Sequence, residues 1–394
     1  MEAKLFAKMI SDPHLSDLKK MKYKYSTQAV DEMISLMRSS IYKTLDIDDF
    51  NGISLVYRDT KAGIHIDSVK QMLNPAKFGE VNFKVMEDEI FSTLAIENIE
   101  SNRESIRRIL RGYAPADETE LRIYGIKRGI DFVSSPGNLI TQENLNRLYR
   151  LAVEDALDES DLLLPGEYYR HDTVYVVGIN QISSGVVEHS GLPAEQLKQY
   201  MEKLVRFINA GDGMNELLKA CVIHFYLAFL HPWFDGNGRM ARLLMLWYLV
   251  QKGLPGSLYI PLSVYVDQSR KHYYEAFSLI EQNAKISGLI DVTPFLDYFV
   301  THVYNKLTSS SESEELDKRY TEMLAEGHVT TKEAQLWRFV QDTYGRSEFS
   351  TKRLERDHGA AAYATIRSFV MKFHKAGLLQ AQTYSNRVRY KICN

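Results

Sequence analysis

The chain has 394 residues and a net charge of −3, and its 45% hydrophobic and 25% charged residues are ordinary for a soluble globular protein. This length allows two or three domains, and no uncharged apolar run reaches the about 18 residues that a membrane helix requires. Charged residues interrupt the amino-terminal segment, which argues against a signal peptide. Because only Cys221 and Cys393 are present, without a Cys-x-x-Cys pair, we expect a cytoplasmic protein with no disulfide framework and no zinc site. The lack of a long apolar run makes us expect no membrane contact either.

The amino-terminal region carries structural patterns but no recognisable chemistry. Residues 29–42 have apolar side chains on one helical face, which predicts an amphipathic helix. Short apolar runs at 53–57 and 63–66 predict two strands around a turn. We therefore predict an N-terminal region, residues 1–85, that serves packing or partner contact.

Helical patterns dominate the next segment. Acidic residues at 87–89 suit the first turn of a helix, and a capping pattern starts another helix at 102. Thr141 is a good N-cap for a later helix. The predicted elements are a helix ending near Asn98, helices over 121–133 and 141–155, and two hairpin strands at 174–178 and 182–187.

A polar loop then interrupts two apolar helical segments, 217–230 and 243–250. Because buried helices frame this loop, it must face something other than the core. Gly236 and Gly238 allow backbone N–H groups to approach an anion at the positive end of the following helix.

Four further side chains in this loop suit a phosphate-handling site. Arg239 and Arg242 lie three residues apart on a helix, so both guanidinium groups can clamp phosphates. Asp235 is a hard oxygen ligand suited to Mg²⁺, and His231 can accept a proton from an attacking hydroxyl. A polar helix–helix loop is the alternative interpretation, but buried helices rarely carry so many charges together. The set favours phosphoryl or nucleotidyl transfer.

The loop resembles the signature of the Fic family, His-Pro-Phe-x-(Asp/Glu)-Gly-Asn-Gly-Arg-x-x-Arg, with Trp233 in the place of phenylalanine. The resemblance implies a protein adenylyltransferase with a helical core, using ATP and Mg²⁺ or Mn²⁺. It further implies that the histidine is the general base, the acidic residue holds the metal, and the second arginine grips the γ-phosphate. The implied assignments are His231 as catalytic, Asp235 as metal ligand, and Gly236, Asn237, Gly238, Arg239 and Arg242 as phosphate-binding.

An inhibitory motif of the same family, (Ser/Thr)-x-x-x-Glu-(Gly/Asn), matches residues 93–98, on a helix expected over about 86–98. The resemblance implies that Glu97, with Thr93 and Asn98 completing the motif, pairs with Arg242 and blocks productive ATP binding. Without the intact signature, Glu97 would be interpreted as a solvated surface acid.

Two weaker assignments also follow from the resemblance. The hairpin would be a flap that holds a target peptide by strand addition, with Val177 and Gly178 beside the bound ATP. Tyr273 and Tyr274 would lie near the adenine. An ordinary surface hairpin and aromatic core packing remain the alternatives.

The carboxyl-terminal segment is basic, with 12 Lys and Arg against 5 Asp and Glu over residues 331–394. A polar stretch over 306–330 predicts a linker before it. Three helical patterns and a hairpin over 331–394 resemble a winged helix, so DNA binding is open, as is binding to proteins or to the rest of the chain.

The sequence therefore predicts a mostly α protein: a Fic-type helical core over 86–305 with a small β-hairpin flap, and a C-terminal winged-helix domain. The expected reaction joins AMP from ATP to a Ser, Thr or Tyr hydroxyl of a target protein, which could be the chain itself. The alternatives are a nucleotide-sensing DNA-binding transcription regulator, and a de-AMPylase or other phosphate-group transferase using the same site. Self-association is left open.

Overall fold

The computed structural model describes residues 1–59, 63–73, 83–177, 187–190, 193–307, 311–344, 348–384 and 387–393. The chain forms two compact units. The first comprises Met1–Lys77 and Met86–Lys306, and the second comprises Phe78–Val85 and Leu307–Asn394. The amino-terminal region thus belongs to the same unit as the residues of the candidate site.

Helices make up most of the described chain, as the sequence predicts. Side-chain caps fix several of their starts: Thr141 accepts from the Asn144 N–H as predicted, and Asn102 accepts from the Ser105 N–H. The helices of the first unit are α1 Ala3–Ile10, α2 Leu18–Tyr25, α3 Thr27–Ser40, α4 Ile66–Leu73, α5 Phe83–Ile96, α6 Arg103–Leu110, α7 Glu118–Val133, α8 Gln142–Ala152, α9 Leu197–Asn209, α10 Glu216–Leu230, α11 Asn237–Gln251, α12 Leu262–Gln268, α13 Arg270–Ser287 and α14 Thr293–Tyr298. Helix α5 begins at Phe83, just before the second segment of this unit starts at Met86.

A small sheet joins the two ends of the first unit. Strand β1 (Lys43–Asp48) pairs antiparallel with β2 (Ser54–Tyr57), and β2 pairs in parallel with the much later strand β5 (Ile290–Asp291). The strand predicted over 63–66 is wrong, because α4 begins at Ile66. The apolar residues of α4 recur at helical spacing over about two turns, which outweighs a two-residue alternation.

The core of the first unit is the pair α10 and α11. Both helices are buried on nearly all sides, as their continuous apolar sequence requires. Trp233, in the loop between them, and Trp247, in α11, are fully buried, and each such side chain contributes about 1.5–3 kcal/mol through burial. This packing holds the two ends of the polar loop rigidly, so the loop presents its side chains from a fixed frame.

Strand β3 (Tyr175–Val177) pairs antiparallel with β4 (Val187–Ser190), which forms a hairpin between α8 and α9. The predicted return strand over 182–187 reaches the described residues only at Val187. Gly178, predicted to lie beside the ATP, falls outside the described residues.

The second unit contains three helices and a hairpin in the order expected over 331–394. Its own core includes Trp337, Phe369 and Phe373. The assignment of this unit as a winged-helix domain stays a prediction. The elements are α15 Ser311–Ala325, α16 Thr331–Tyr344, α17 Thr351–His358, α18 Tyr363–Lys375, and the antiparallel strands β6 Leu379–Tyr384 and β7 Arg387–Ile392.

The stretch that the sequence predicts as a linker, 306–330, differs from that expectation because α15 occupies much of it. Acidic residues at its amino-terminal end favour a helix through the helix dipole. Leu316 is buried in the core of the second unit, and Tyr320 and Met323 pack against the same core. A sequence rich in serine and glutamate therefore forms a packed helix here.

Among the described residues, no helix is both long enough and apolar enough to cross a bilayer.

Candidate active site

The candidate site is built on the loop between α10 and α11. His231 is the C-cap of α10 in a left-handed conformation, with φ 48°, and its N–H donates to the Leu227 carbonyl at 3.1 Å. Gly236 precedes α11 with φ 80°, and a Cβ atom there would lie 2.5 Å from Cγ1 of Val153. Both the backbone conformation and the available space therefore require glycine at 236.

Asn237 closes this loop on itself. Its side-chain oxygen accepts from the Trp233 N–H at 3.0 Å, and its side-chain NH₂ donates to the Trp233 carbonyl at 2.7 Å. Trp233 stacks on Tyr149 with ring centroids 4.5 Å apart, and its indole N–H donates to the Tyr168 carbonyl. The side chain of Asn237, predicted to bind phosphate, thus shapes the loop, and its backbone N–H at the start of α11 is the group suited to a phosphate.

Arg170 is a residue of the site that the sequence does not reveal. Its Nε donates to the His231 carbonyl at 2.8 Å, and its backbone N–H donates to the Pro232 carbonyl at 3.0 Å. The side chain also donates to the Asp172 carbonyl, and burial lowers the pKa of Arg170 from its ordinary value. Arg170 therefore fixes the backbone that carries His231, from 61 residues upstream.

The carboxylate of Glu97, just after α5, bridges the two arginines of α11. Its Oε1 accepts from Nη2 of Arg242 at 2.5 Å, and its Oε2 accepts from Nε of Arg239 at 2.9 Å. Thr93, on α5, also binds Arg242. Its hydroxyl accepts from Nε of Arg242 at 2.6 Å, and its carbonyl accepts from Nη2 at 3.0 Å. The predicted contact of Glu97 with Arg242 is present, whereas its contact with Arg239 was not foreseen.

This charge cluster is largely shielded from water. Arg239 is 1% exposed and Glu97 is 18% exposed. Burial works against the charge on Arg239, but the carboxylates of Glu97 and Asp235 outweigh it and raise the pKa of the guanidinium. A Cβ atom at Gly238 would lie 2.6 Å from Oε1 of Glu97, so Glu97 sits directly on the turn predicted to receive phosphates.

A cavity of about 280 Å³ opens beside this cluster. One end is polar, where His231, Gly238 and Arg242 meet Glu97. The rest is mostly apolar, although Ser278 and Glu281 also line it. Its aromatic side chains come from α10 and α13 and are Phe225, Phe229, Phe277, Tyr273 and Tyr274. This arrangement suits a ligand with an anionic end and a flat apolar end.

Both predicted tyrosines line the cavity while their hydroxyl groups bond to protein atoms. The Tyr273 hydroxyl shares a hydrogen bond of 2.9 Å with Nε2 of His224, and the Tyr274 hydroxyl donates to the Ile96 carbonyl at 3.1 Å. Asn98, the last residue of the predicted inhibitory motif, accepts from Arg270 at 3.1 Å. Helix α13 thus contacts the end of α5 as well as the cavity. Val177 lies in β3, and only its backbone is described.

Asp235 is the residue that fits a metal ion. Its carboxylate is 42% exposed, with one oxygen accepting from the Gly236 N–H and the other accepting from Arg239. Within the described residues, no group of three or more His, Cys, Asp or Glu side chains is placed to hold a metal. A single carboxylate is the usual protein contribution where Mg²⁺ takes its remaining oxygens from phosphates and water.

Residues 139–249, which include α8, α9, α10, the loop and most of α11, match the Fic/DOC family. The chain contains a Fic domain. Two curated relatives are similar to it: protein adenylyltransferase fic-1 of Caenorhabditis briggsae, 22% identical over 219 residues, and protein adenylyltransferase Fic of Drosophila ananassae, 27% identical over 250 residues.

These matches cover 54% and 61% of this chain, but only 39% and 43% of the two relatives, so the chain spans about two fifths of their length. Among solved structures, a Fic family protein from Desulfovibrio desulfuricans G20 matches 85% of this chain and 98% of its own. Its sequence identity is 19% and its TM-score is 0.48.

Proposed function

We propose that the Fic domain transfers AMP from ATP to a Ser, Thr or Tyr hydroxyl of a target protein. The observation that carries this proposal is the convergence of His231, Gly238 and Arg242 at the polar end of a cavity whose remaining walls are mostly apolar and include five aromatic side chains. Phosphates would bind at the polar end and the adenine beside Tyr273 and Tyr274. Two relatives named protein adenylyltransferase support the same activity.

In the proposed reaction, the amino-terminal end of α11 and its two arginines bind and orient the phosphates. His231 accepts the proton of the target hydroxyl, whose oxygen forms a bond to the α-phosphorus. The bond from that phosphorus to the bridging oxygen breaks, and pyrophosphate leaves. Asp235 would hold Mg²⁺, which neutralises phosphate charge when bound.

The hairpin β3–β4 is proposed to hold the target. A two-stranded hairpin leaves a free strand edge on each side, and an extended peptide can add to such an edge through backbone hydrogen bonds. Val177 is the last residue of β3, and Val177 and Gly178, the latter outside the described residues, are proposed to contact ATP.

Autoinhibition by Glu97 is proposed as part of the same function. Its carboxylate occupies Arg242 and Arg239 together and lies against Gly238, so phosphates cannot reach these groups while the contact persists. Thr93 and Asn98 fix the position of Glu97 by binding Arg242 and Arg270.

A labelling assay tests the transfer itself. The purified chain is incubated with a protein extract and ATP labelled either on the α-phosphate or on the γ-phosphate. The α-label alone should enter protein, and His231→Ala should lower incorporation by roughly 10²–10⁴-fold, since a general base supplies about that factor. The matched control is His65→Ala, at an exposed histidine away from the site. Transfer of the γ-label, or near-normal labelling by folded His231→Ala, would refute the proposal.

A further inference from the structure

Charge is segregated within the second unit. From His358 to the end of the chain, six Lys and Arg residues occur without a single Asp or Glu. By contrast, α15 begins with several acidic residues. A segment of this length with one sign of charge attracts polyanions, although the whole chain is slightly acidic.

Helix α18 has one buried face and one exposed face. Ile366, Phe369, Val370 and Phe373 are buried in the core of the unit. On the other side, Tyr363 is 39% exposed, Met371 is 54% exposed, and Arg367 between them is exposed as well. These three residues are four apart, so they lie along one side of the helix. Large side chains exposed in a row are typical of a binding surface.

Two neighbouring elements flank this exposed face. Helix α17 contacts α18, and the Thr351 hydroxyl in its first turn lies 3.3 Å from the Tyr363 hydroxyl. The next residue in that turn, Lys352, is exposed beside the positive end of α17. Strand β6 also contacts α18, and Arg389 of β7 is half-exposed, lies over the Tyr384 ring and pairs with Glu348 at 3.6 Å.

We propose that α18 binds in the major groove of duplex DNA, with the first turn of α17 and the hairpin β6–β7 on the flanking phosphates. The major groove of B-form DNA admits an α-helix, whereas that of A-form RNA is too deep and narrow. Tyr363, Arg367 and Met371 would face base edges. Lys352 and Arg389 would face phosphates, which line the duplex at one charge per roughly 1.7 Å. This binding is separate from AMP transfer.

Charge complementarity favours DNA over a protein partner. An exposed face of a tyrosine, an arginine and a methionine could contact another protein, but the basic residues continue into both flanking elements. Exposed basic residues in both elements, Lys352 and Arg389, match a phosphate backbone on both sides of a groove. Two to three ionic contacts, from Lys352, Arg389 and Arg367, should give a log–log salt slope of roughly −2 to −3.

The test uses the full chain and a fluorescein-labelled 24-base-pair duplex of mixed sequence, followed by anisotropy between 50 and 200 mM KCl. We expect binding that weakens with the slope above. Arg367→Ala should weaken it by about fivefold or more. Met371→Glu, which places a carboxylate on the same exposed face, should weaken it further. Since both positions are exposed, folding should be preserved, which circular dichroism checks.

Lys318→Ala, on the acidic helix α15, removes the same charge elsewhere in the second unit and should leave binding unchanged. His231→Ala should also bind DNA normally, so this result is independent of AMP transfer. The proposal is overturned by an absence of binding up to about 100 µM chain in 50 mM KCl, well within the non-specific range. The proposal is also overturned if Arg367→Ala and Lys318→Ala lose the same amount of DNA affinity, or if the chain binds single-stranded RNA more tightly than the duplex.

Discussion

Replacing Glu97 with glycine should activate AMP transfer, because this carboxylate holds both arginines of α11. Its contacts with Arg242 at 2.5 Å and Arg239 at 2.9 Å are charge-assisted hydrogen bonds in a mostly buried cluster. Each such bond is worth about 1.5–3 kcal/mol. Freeing Arg242 for a phosphate breaks at least one of them, so the open arrangement is disfavoured roughly ten- to hundredfold. The variant should label targets faster by about that factor.

Without nucleotide, the same substitution should destabilise the folded chain. It removes the partner of two buried guanidinium groups, although Asp235 still pairs with Arg239 and Thr93 still binds Arg242. Without nucleotide the variant should therefore unfold at a lower temperature than wild type. ATP, whose phosphates replace the carboxylate, should then stabilise the variant more than it stabilises wild type.

The assay compares wild type, Glu97→Gly, Arg242→Ala and the double variant, using ATP labelled on the α-phosphate and thermal unfolding with and without nucleotide. Glu100→Gly is the matched control, since it makes the same change at an exposed acid three residues away. The double variant should stay inactive because the phosphate clamp is lost. If Glu97→Gly labels no faster than Glu100→Gly, the proposed inhibition is wrong and Glu97 only stabilises the fold.

Three further outcomes can be measured. Arg170→Lys keeps the charge but loses the planar contact with the His231 carbonyl, so kcat should fall roughly ten- to hundredfold while ATP still raises the unfolding temperature. Asp235→Asn should shift the Mg²⁺ titration of labelling to higher concentration, and an unchanged titration would exclude Asp235 as the metal ligand. Burial and the nearby Arg242 charge lower the pKa of His224 from 6.5 to about 3 in the folded chain. Between about pH 3 and 6.5 the unfolded chain therefore binds more protons than the folded chain does. Wild type should therefore lose about 2 kcal/mol more unfolding free energy between pH 7 and 5 than His224→Gln, as urea titration at both pH values can show.

Local spacing explains what the sequence predicted correctly. Each of the segments that form α10 and α11 is an almost uninterrupted apolar run, and the Thr141 cap acts on a residue three positions later. The contact between Glu97 and Arg242 was expected only because residues 93–98 and 231–242 resemble a family pattern. Without that resemblance, two residues 145 positions apart offer no periodic signal.

The features that the sequence did not reveal depend on tertiary contacts. Arg170 contacts the His231 carbonyl across 61 residues, and Arg239 shares Glu97 across 142 residues. Helix α15 looked like a linker because its composition is polar, yet a few apolar residues such as Leu316 pack it into the second unit. Composition gives only the average polarity of a segment. Packing depends instead on whether its few apolar residues lie on the same face of the helix.

The contact of Arg170 with the loop has a consequence for redirecting the proposed transferase to new targets. Arg170 lies five residues before β3, so one short segment leads both to the hairpin that is proposed to grip the target and to the backbone of His231. Exchanging the hairpin for that of another protein would therefore disturb the proposed base, His231, together with the specificity. A graft that begins after Asp172, whose carbonyl also binds Arg170, should change the target and leave the chemistry intact.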